Sequence, residues 1–184
     1  MPAALLSKDE VIDRLFTVFR KRGFQGASLA DLSRATGLGK SSLYHYFPRG
    51  KEQMAEAVLI RATAFIDDAI LEVAQGPGPF KVRIRKIVAA LEQLYGGGRI
   101  PCILGQLASS EIGTNAQQYL REALAHWIGA IAKLASEAGM SSVRARNFAE
   151  DWVAQLQGTL ILQAATGNLG PFKRTMNTLL DLAR

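Results

Sequence analysis

"TGLGKSSLYHYFP", Thr36 to Pro48, admits two incompatible readings. Gly39-Lys40-Ser41 has the ending of a phosphate-cradling loop, whereas Leu43-Tyr44-His45-Tyr46-Phe47 has the pattern of a short helix that enters a nucleic-acid groove. The loop reading fails twice. A phosphate loop needs an earlier glycine, separated from Gly39 by four residues, so that the backbone can wrap the phosphates, and that position is Arg34. The loop must also follow a strand. "SLADLSRAT", Ser28 to Thr36, instead predicts a helix: Ser28 is a good N-cap, Asp31 completes a capping box, and Leu29 with Leu32 forms a buried side.

Read as helix-turn-helix, the stretch is consistent throughout. Leu32 and Leu38 pack the helix pair, Gly37 supplies backbone freedom for the turn, Leu43 anchors the second helix, and Pro48 stops it after about two turns. The outward residues are then Lys40, Ser41, Ser42, Tyr44 and His45. A cation, short hydroxyls and aromatics with polar tips suit phosphates and base edges in a major groove. The charge distribution agrees. Residues 1–51 hold nine Lys or Arg against four Asp or Glu, a balance of +5 in a chain whose net charge is +6, so a polyanion partner is expected for this end alone.

Outside it, "QGPGPF" (Gln75 to Phe80), "GGGRIP" (Gly96 to Pro101), "EAGMSS" (Glu137 to Ser142) and "TGNLGP" (Thr166 to Pro171) break the chain into helix-length pieces. Apolar residues recur with a helical period: Ile12, Leu15, Phe16 and Phe19 on a first helix, and Met54, Val58, Phe65, Ile66, Ala69 and Val73 on a long helix from about Lys51 to Ala74. No alternating strand pattern of any length stands out. The expected fold is all-α with about nine helices, divided after Lys51, where the charge asymmetry stops, into a DNA-binding domain over residues 1–51 and a helical body over 52–184. At 184 residues and 48% hydrophobic content the chain can fill a core without disulfides, and Cys102 is its single cysteine. It has nothing resembling a signal peptide or a membrane-spanning run, so a cytoplasmic protein without membrane attachment is expected. His45, His126 and Cys102 have no metal-ligand spacing and no nucleophile elbow is present, so neither catalysis, nor a metal, nor a cofactor is expected.

"GFQGASLADLSRATGLGKSSLYHYFPRGKEQMAEAVL", Gly23 to Leu59, resembles the DNA-binding domain of TetR-type transcriptional repressors. The extra glycine in "FPRGKE" and the later "PCILGQLASS" are closer to the branch that includes the LmrA and YxaF regulators. The resemblance implies that Ser28 caps the second helix and meets a phosphate, that Lys40, Ser42 and His45 face the groove, and that Tyr44 and Lys51 hold backbone phosphates. Tyr46 and Phe47 are expected to pack inward. Ser33 and Thr36 stand where alanine is common, so one hydroxyl is expected to bond back to a helix carbonyl, and the inserted Gly50 unsettles the roles of Arg49 and Lys51.

The resemblance also implies a homodimer on a double-stranded, palindromic operator, with two recognition helices about one DNA turn apart. Its interface would be a four-helix bundle that draws on Val153, Leu156, Leu160, Ile161, Met176, Leu179 and Leu180, although about half of these apolar residues are expected to fill the subunit's own core. Gly158, Ala164 and Ala165 would permit close helix approach. A small, mostly apolar or aromatic effector would release the operator. Its candidate lining is Phe65, Tyr95, Cys102, Gln106, Trp127, Phe148 and Trp152. Control by oxidation of Cys102, or regulation without any effector, is the alternative.

Overall fold

A computed structural model describes residues 6–184, and among these the chain is helical with no strand. Nine helices follow one another: α1 (Lys8–Gly26), α2 (Leu29–Thr36), α3 (Lys40–Tyr46), α4 (Lys51–Ile66), α5 (Phe80–Leu94), α6 (Ile103–Ala108), α7 (Thr114–Glu137), α8 (Ser142–Thr166) and α9 (Gly170–Leu180). After Ile66, α4 runs on through a π-helical segment, Asp67–Glu72, and a last α-turn, Val73–Gln75. All four Gly/Pro/Ser clusters fall at helix junctions, and α8 starts at Ser142 with Ser141 in the extended N-cap conformation. The chain divides into two compact units. One runs to Ala62 and takes in Ile103–Ala123; the other comprises Thr63–Cys102 and Leu124–Arg184.

In the first unit, Val11, Leu15 and Phe19 form the buried stripe of α1, while Ile12 and Phe16 are half-buried flanks, so the apolar face lies one residue away from its expected centre. Gly23, at φ 67° and ψ −178°, breaks α1 before its last turn. Around this stripe pack Leu32, Leu43, Phe47, Met54 and Val58, all essentially inaccessible. Burial of a leucine such as Leu43 contributes about 1.5–3 kcal/mol. α6 lies against α1, with the Gln106 carboxamide beside Gly23, and Gln25 donates to the Glu111 carbonyl at 3.4 Å.

The second unit is built around Trp127, Trp152 and Phe172, joined by Ile84, Ile87, Leu91, Ile131, Leu134, Leu156, Met176 and Leu179. α9 packs on α8 and on α5. Arg83 is buried and donates to the carbonyls of Ala74 and Gly78 and to the Glu137 carboxylate, which terminates the π-containing helix. Phe65 is 49% exposed, whereas Ile66, Ile70 and Ala74 point inward. The expected stripe placed Phe65, Ala69 and Val73 inside; an α-helix drifts over repeated four-residue steps, and the wider π-turn takes up that drift and keeps Ile66, Ile70 and Ala74 on one side.

Candidate nucleic-acid interface

The turn between α2 and α3 is fixed by short-range bonds that the residue types dictate. The Ser28 hydroxyl oxygen accepts from the Asp31 N–H at 3.1 Å, and the Asp31 carboxylate accepts from the Ser28 N–H at 3.2 Å and its O–H at 2.7 Å. These hydrogen bonds from Ser28, followed by the charges of Arg22 and Arg34, hold the Asp31 carboxyl below its usual pKa. Ser28 thus acts as the cap, with both of its donors turned toward Asp31. At the other end of α2, Gly37 takes the left-handed conformation at φ 72° and its N–H donates to the Ser33 carbonyl. Thr36 donates its hydroxyl back to the Leu32 carbonyl at 2.8 Å, Ser33 donates to the Leu38 carbonyl at 2.6 Å, and Arg14 donates to the Thr36 carbonyl at 2.9 Å. Both hydroxyls that replace alanine are therefore used to close the turn.

Ser28→Ala should cost about 1 kcal/mol of stability, the usual value of a lost cap. The pH dependence has a defined sign. Because the folded-state pKa of Asp31 is depressed, its stabilisation is present above the ordinary carboxylate pKa and is lost as pH falls through the lowered value. Urea midpoints of wild type and Ser28→Ala, compared at neutral pH and at successively lower pH, should converge on acidification.

α3 presents Lys40, Ser41, Ser42, Tyr44 and His45 to solvent over a base of Leu43 and Phe47. Tyr46 is half-buried and donates its hydroxyl to the Leu6 carbonyl at 2.8 Å. Lys8, Leu38, Ser41, Ser42, His45 and Tyr46 line an open cleft of about 570 Å³ beside α3. Lys8 was missed in the sequence because the motif begins after it; its ammonium lies 5.9 Å from the Phe47 ring centre, and only the fold shows this.

Around the inserted glycine the cations divide. The Arg49 guanidinium forms two hydrogen bonds with the Glu56 carboxylate, at 2.9 and 2.6 Å, and that carboxylate raises its pKa. Lys51 is partly buried with its ammonium 4.5 Å from the Phe24 ring centre, and burial lowers its pKa. Gly50 sits at φ 67° beneath the Tyr44 ring; a Cβ there would lie 3.1 Å from Tyr44 Cε1. The insertion therefore seats the Tyr44 side chain, whose phenol remains exposed.

Among proteins of known family, the bacterial regulatory proteins of the tetR family match residues 11–58, the segment that carries α1 to α3 and the start of α4. This segment belongs to the tetR family. Along nearly its whole length the chain is similar to the HTH-type transcriptional regulator LmrA of Bacillus subtilis (strain 168), 24% identical over 97% of both chains. The negative regulator IcaR of a biofilm operon, from Staphylococcus epidermidis, is 33% identical over 33% of this chain and 32% of its own. A TetR transcriptional regulator from Legionella pneumophila shares the fold, with a TM-score of 0.85 at 18% identity over 97% of each chain. The protein is a DNA-binding transcriptional regulator and not an enzyme. No described helix is long and apolar enough to cross a membrane, and no described cluster of His, Cys, Asp or Glu could hold a metal.

The residues proposed for an effector are distributed unevenly. Tyr95, Cys102, Trp127 and Trp152 lie together in the second unit: the Tyr95 and Trp127 rings stack with centres 6.5 Å apart, Trp152 meets Trp127 edge-on at 6.3 Å, and Tyr95 donates to Cys102 Sγ at 3.6 Å. Phe148 is half-buried and Phe65 exposed, while Gln106 belongs to the first unit. Of the residues considered for a dimer interface, Leu156, Met176 and Leu179 are core, Val153 and Leu160 are buried, Leu180 is half-buried, and Ile161 is 70% exposed. Leu162, missed in the sequence, is exposed beside it, and lines a groove of about 350 Å³ with Gln155, Gly158, Pro171 and Arg174.

Proposed function

We propose that the protein is a homodimeric repressor, acting in the cytoplasm, that holds a palindromic operator through α3 and is released by a small, mostly apolar or aromatic effector. Residues 1–51 form the DNA-binding domain and 52–184 the effector-binding and dimerisation domain. The observation that carries the reading is the exposed row Lys40, Ser41, Ser42, Tyr44 and His45 on a short helix whose other side is fixed by Leu43 and Phe47. Lys40 and His45 reach the groove, the serines add short donors and acceptors, and Tyr44 and Lys51 take backbone phosphates. Ser28 contributes its cap and, when DNA is near, a phosphate contact.

The dimer surface is the exposed apolar strip of α8, with Ala154, Gly158, Ile161 and Ala165 at helical spacing and Leu162 beside it. The buried leucines support that strip from below. In the mechanism, effector favours a state in which the helix beginning at Lys51 tilts and moves the recognition helices off operator spacing; by linkage, operator weakens effector binding by the same factor.

Lys40→Ala and Tyr44→Ala test the interface. Each side chain is exposed, so each variant should fold and sediment as the parent does, while operator affinity falls about tenfold, the loss of one charge-assisted phosphate or base contact. Gel-shift titration on fragments from the gene's own upstream region, with analytical ultracentrifugation in parallel, reads both. Loss of the dimer in either variant would remove these residues from the interface.

A further inference from the structure

Three buried side-chain polar atoms among the described residues have no hydrogen-bond partner: Asp67 Oδ1, Trp127 Nε1 and Gln157 Nε2. They are not equivalent. Asp67 Oδ1 faces His126 Nδ1 at 3.5 Å, so a polar partner is at hand. Gln157 is only half-buried. Trp127 is wholly inaccessible, and its N–H carries the full desolvation cost of a buried donor without a bond in return.

The surroundings make the gap specific. Of the polar groups in the aromatic cluster, the Trp152 N–H donates to the Thr175 carbonyl at 2.9 Å and the Tyr95 hydroxyl donates to Cys102 Sγ. The faces of Trp127 are met by the parallel Tyr95 ring and the Trp152 edge, and Phe172 closes against Tyr95 with ring centres 6.3 Å apart. What this cluster lacks is an acceptor at the edge of one indole. The residues that make these contacts, Tyr95, Cys102, Trp127, Trp152 and Phe172, carry no charge of their own, and an uncompensated buried charge is strongly disfavoured.

We infer that Trp127 is the anchoring donor of the effector site, and that the effector is a neutral, largely aromatic molecule bearing a hydrogen-bond acceptor such as a carbonyl oxygen, which the Trp127 N–H binds. This rests on the effector-released reading above and deepens it: of the two tryptophans, Trp127 recognises and Trp152 supports.

The test uses two neutral probes of one shape class, 1-acetonaphthone, which has a carbonyl, and 1-ethylnaphthalene, which has none. Calorimetric titration of the dimeric protein should show the ketone binding about tenfold more tightly, the scale of satisfying a buried donor. Trp127→Phe keeps an aromatic ring and removes the N–H; it should reduce the ratio of the two affinities to about twofold or less. Trp152→Phe should retain the preference. Should Trp127→Phe fail to fold, the ¹⁵N-indole resonances of wild type decide, since the ketone should move the Trp127 N–H downfield and slow its exchange, and the hydrocarbon should not. Equal affinities for the two probes, no binding of either, a preference that survives Trp127→Phe, or an unmoved Trp127 resonance would each overturn the inference. Operator binding without any compound, measured alongside, keeps this outcome separate: its absence counts against the repressor reading itself.

Discussion

Gly98→Ala is expected to destabilise the protein by about 2–5 kcal/mol, while Gly97→Ala, one residue away, should cost only about 1–2 kcal/mol. Both glycines lie in the tight turn Gly96–Gly98 at positive φ, 64° for Gly97 and 93° for Gly98, so both substitutions incur left-handed strain. They differ in what a Cβ would meet. At Gly97 the nearest atom is the Arg99 guanidinium at 3.3 Å, the far end of a flexible chain that can move away. At Gly98 it is Phe172 Cγ at 2.7 Å, with Cβ and Cδ1 at 3.0 Å, on a side chain that is 1% exposed and wedged against Tyr95. Phe172 cannot retreat without displacing Tyr95, and Tyr95 stacks on Trp127. For a chain of this size each kcal/mol is worth about 2–4 °C, so the Gly98 variant should melt roughly 5–15 °C below wild type and the Gly97 variant within about 8 °C of it. Equal losses in the two variants would show that backbone strain alone is responsible and that the Phe172 contact carries no weight.

The same turn shows where sequence reading stops. "GGGRIP" marks a break whatever lies around it, because glycine-rich sequence disfavours helix by its own backbone properties. That its third glycine must be glycine because of Phe172, 74 positions away in "TGNLGPF", is tertiary information. The helix-turn-helix was legible for the converse reason. Its capping box, left-handed Gly37 and Thr36 back-bond all join residues within five positions of one another, so local chemistry dictates them. Arg49 marks the boundary even here: the sequence places it beside a phosphate-binding lysine, but Glu56, two turns along α4, accepts its guanidinium. Periodicity placed Phe65 inside, but the buried positions Val58, Ala62 and Ile66 step by four residues and leave Phe65 exposed, and the π-segment at Asp67–Glu72, which carries that step on to Ile70, has no sequence signal. Trp127 and Trp152 read alike as buried indoles; they separate only once Thr175, on another helix, is seen to accept from one of them.

Operator binding should be steeply salt-dependent, and the structure bounds how steeply. Nine cations precede Lys51 or coincide with it, but not all are free to meet phosphate. Arg22 and Arg34 pair with Asp31, Arg49 pairs with Glu56, and Arg14 is bonded to the Thr36 carbonyl. Lys8 beside the α3 cleft, Lys40 at the start of α3 and Lys51 at the start of α4 are the lysines we propose to meet the operator, with Ser28 and Tyr44 as proposed neutral partners. Three neutralised phosphates per subunit is then the expectation, or six for a dimer. Counterion release converts this to a slope of log affinity against log salt of roughly −5, a loss of about 10³ in affinity between about 50 and 200 mM salt. Lys40→Ala in both subunits removes two charges and should flatten the slope by about 1 to 2, whereas an Arg49→Ala slope should match wild type because its charge is already spent on Glu56. A shallow wild-type slope, near −2, would mean that the basic end does not track a phosphate backbone. A slope that falls as much for Arg49→Ala as for Lys40→Ala would mean that the Glu56 pair opens on DNA and that Arg49 joins the interface.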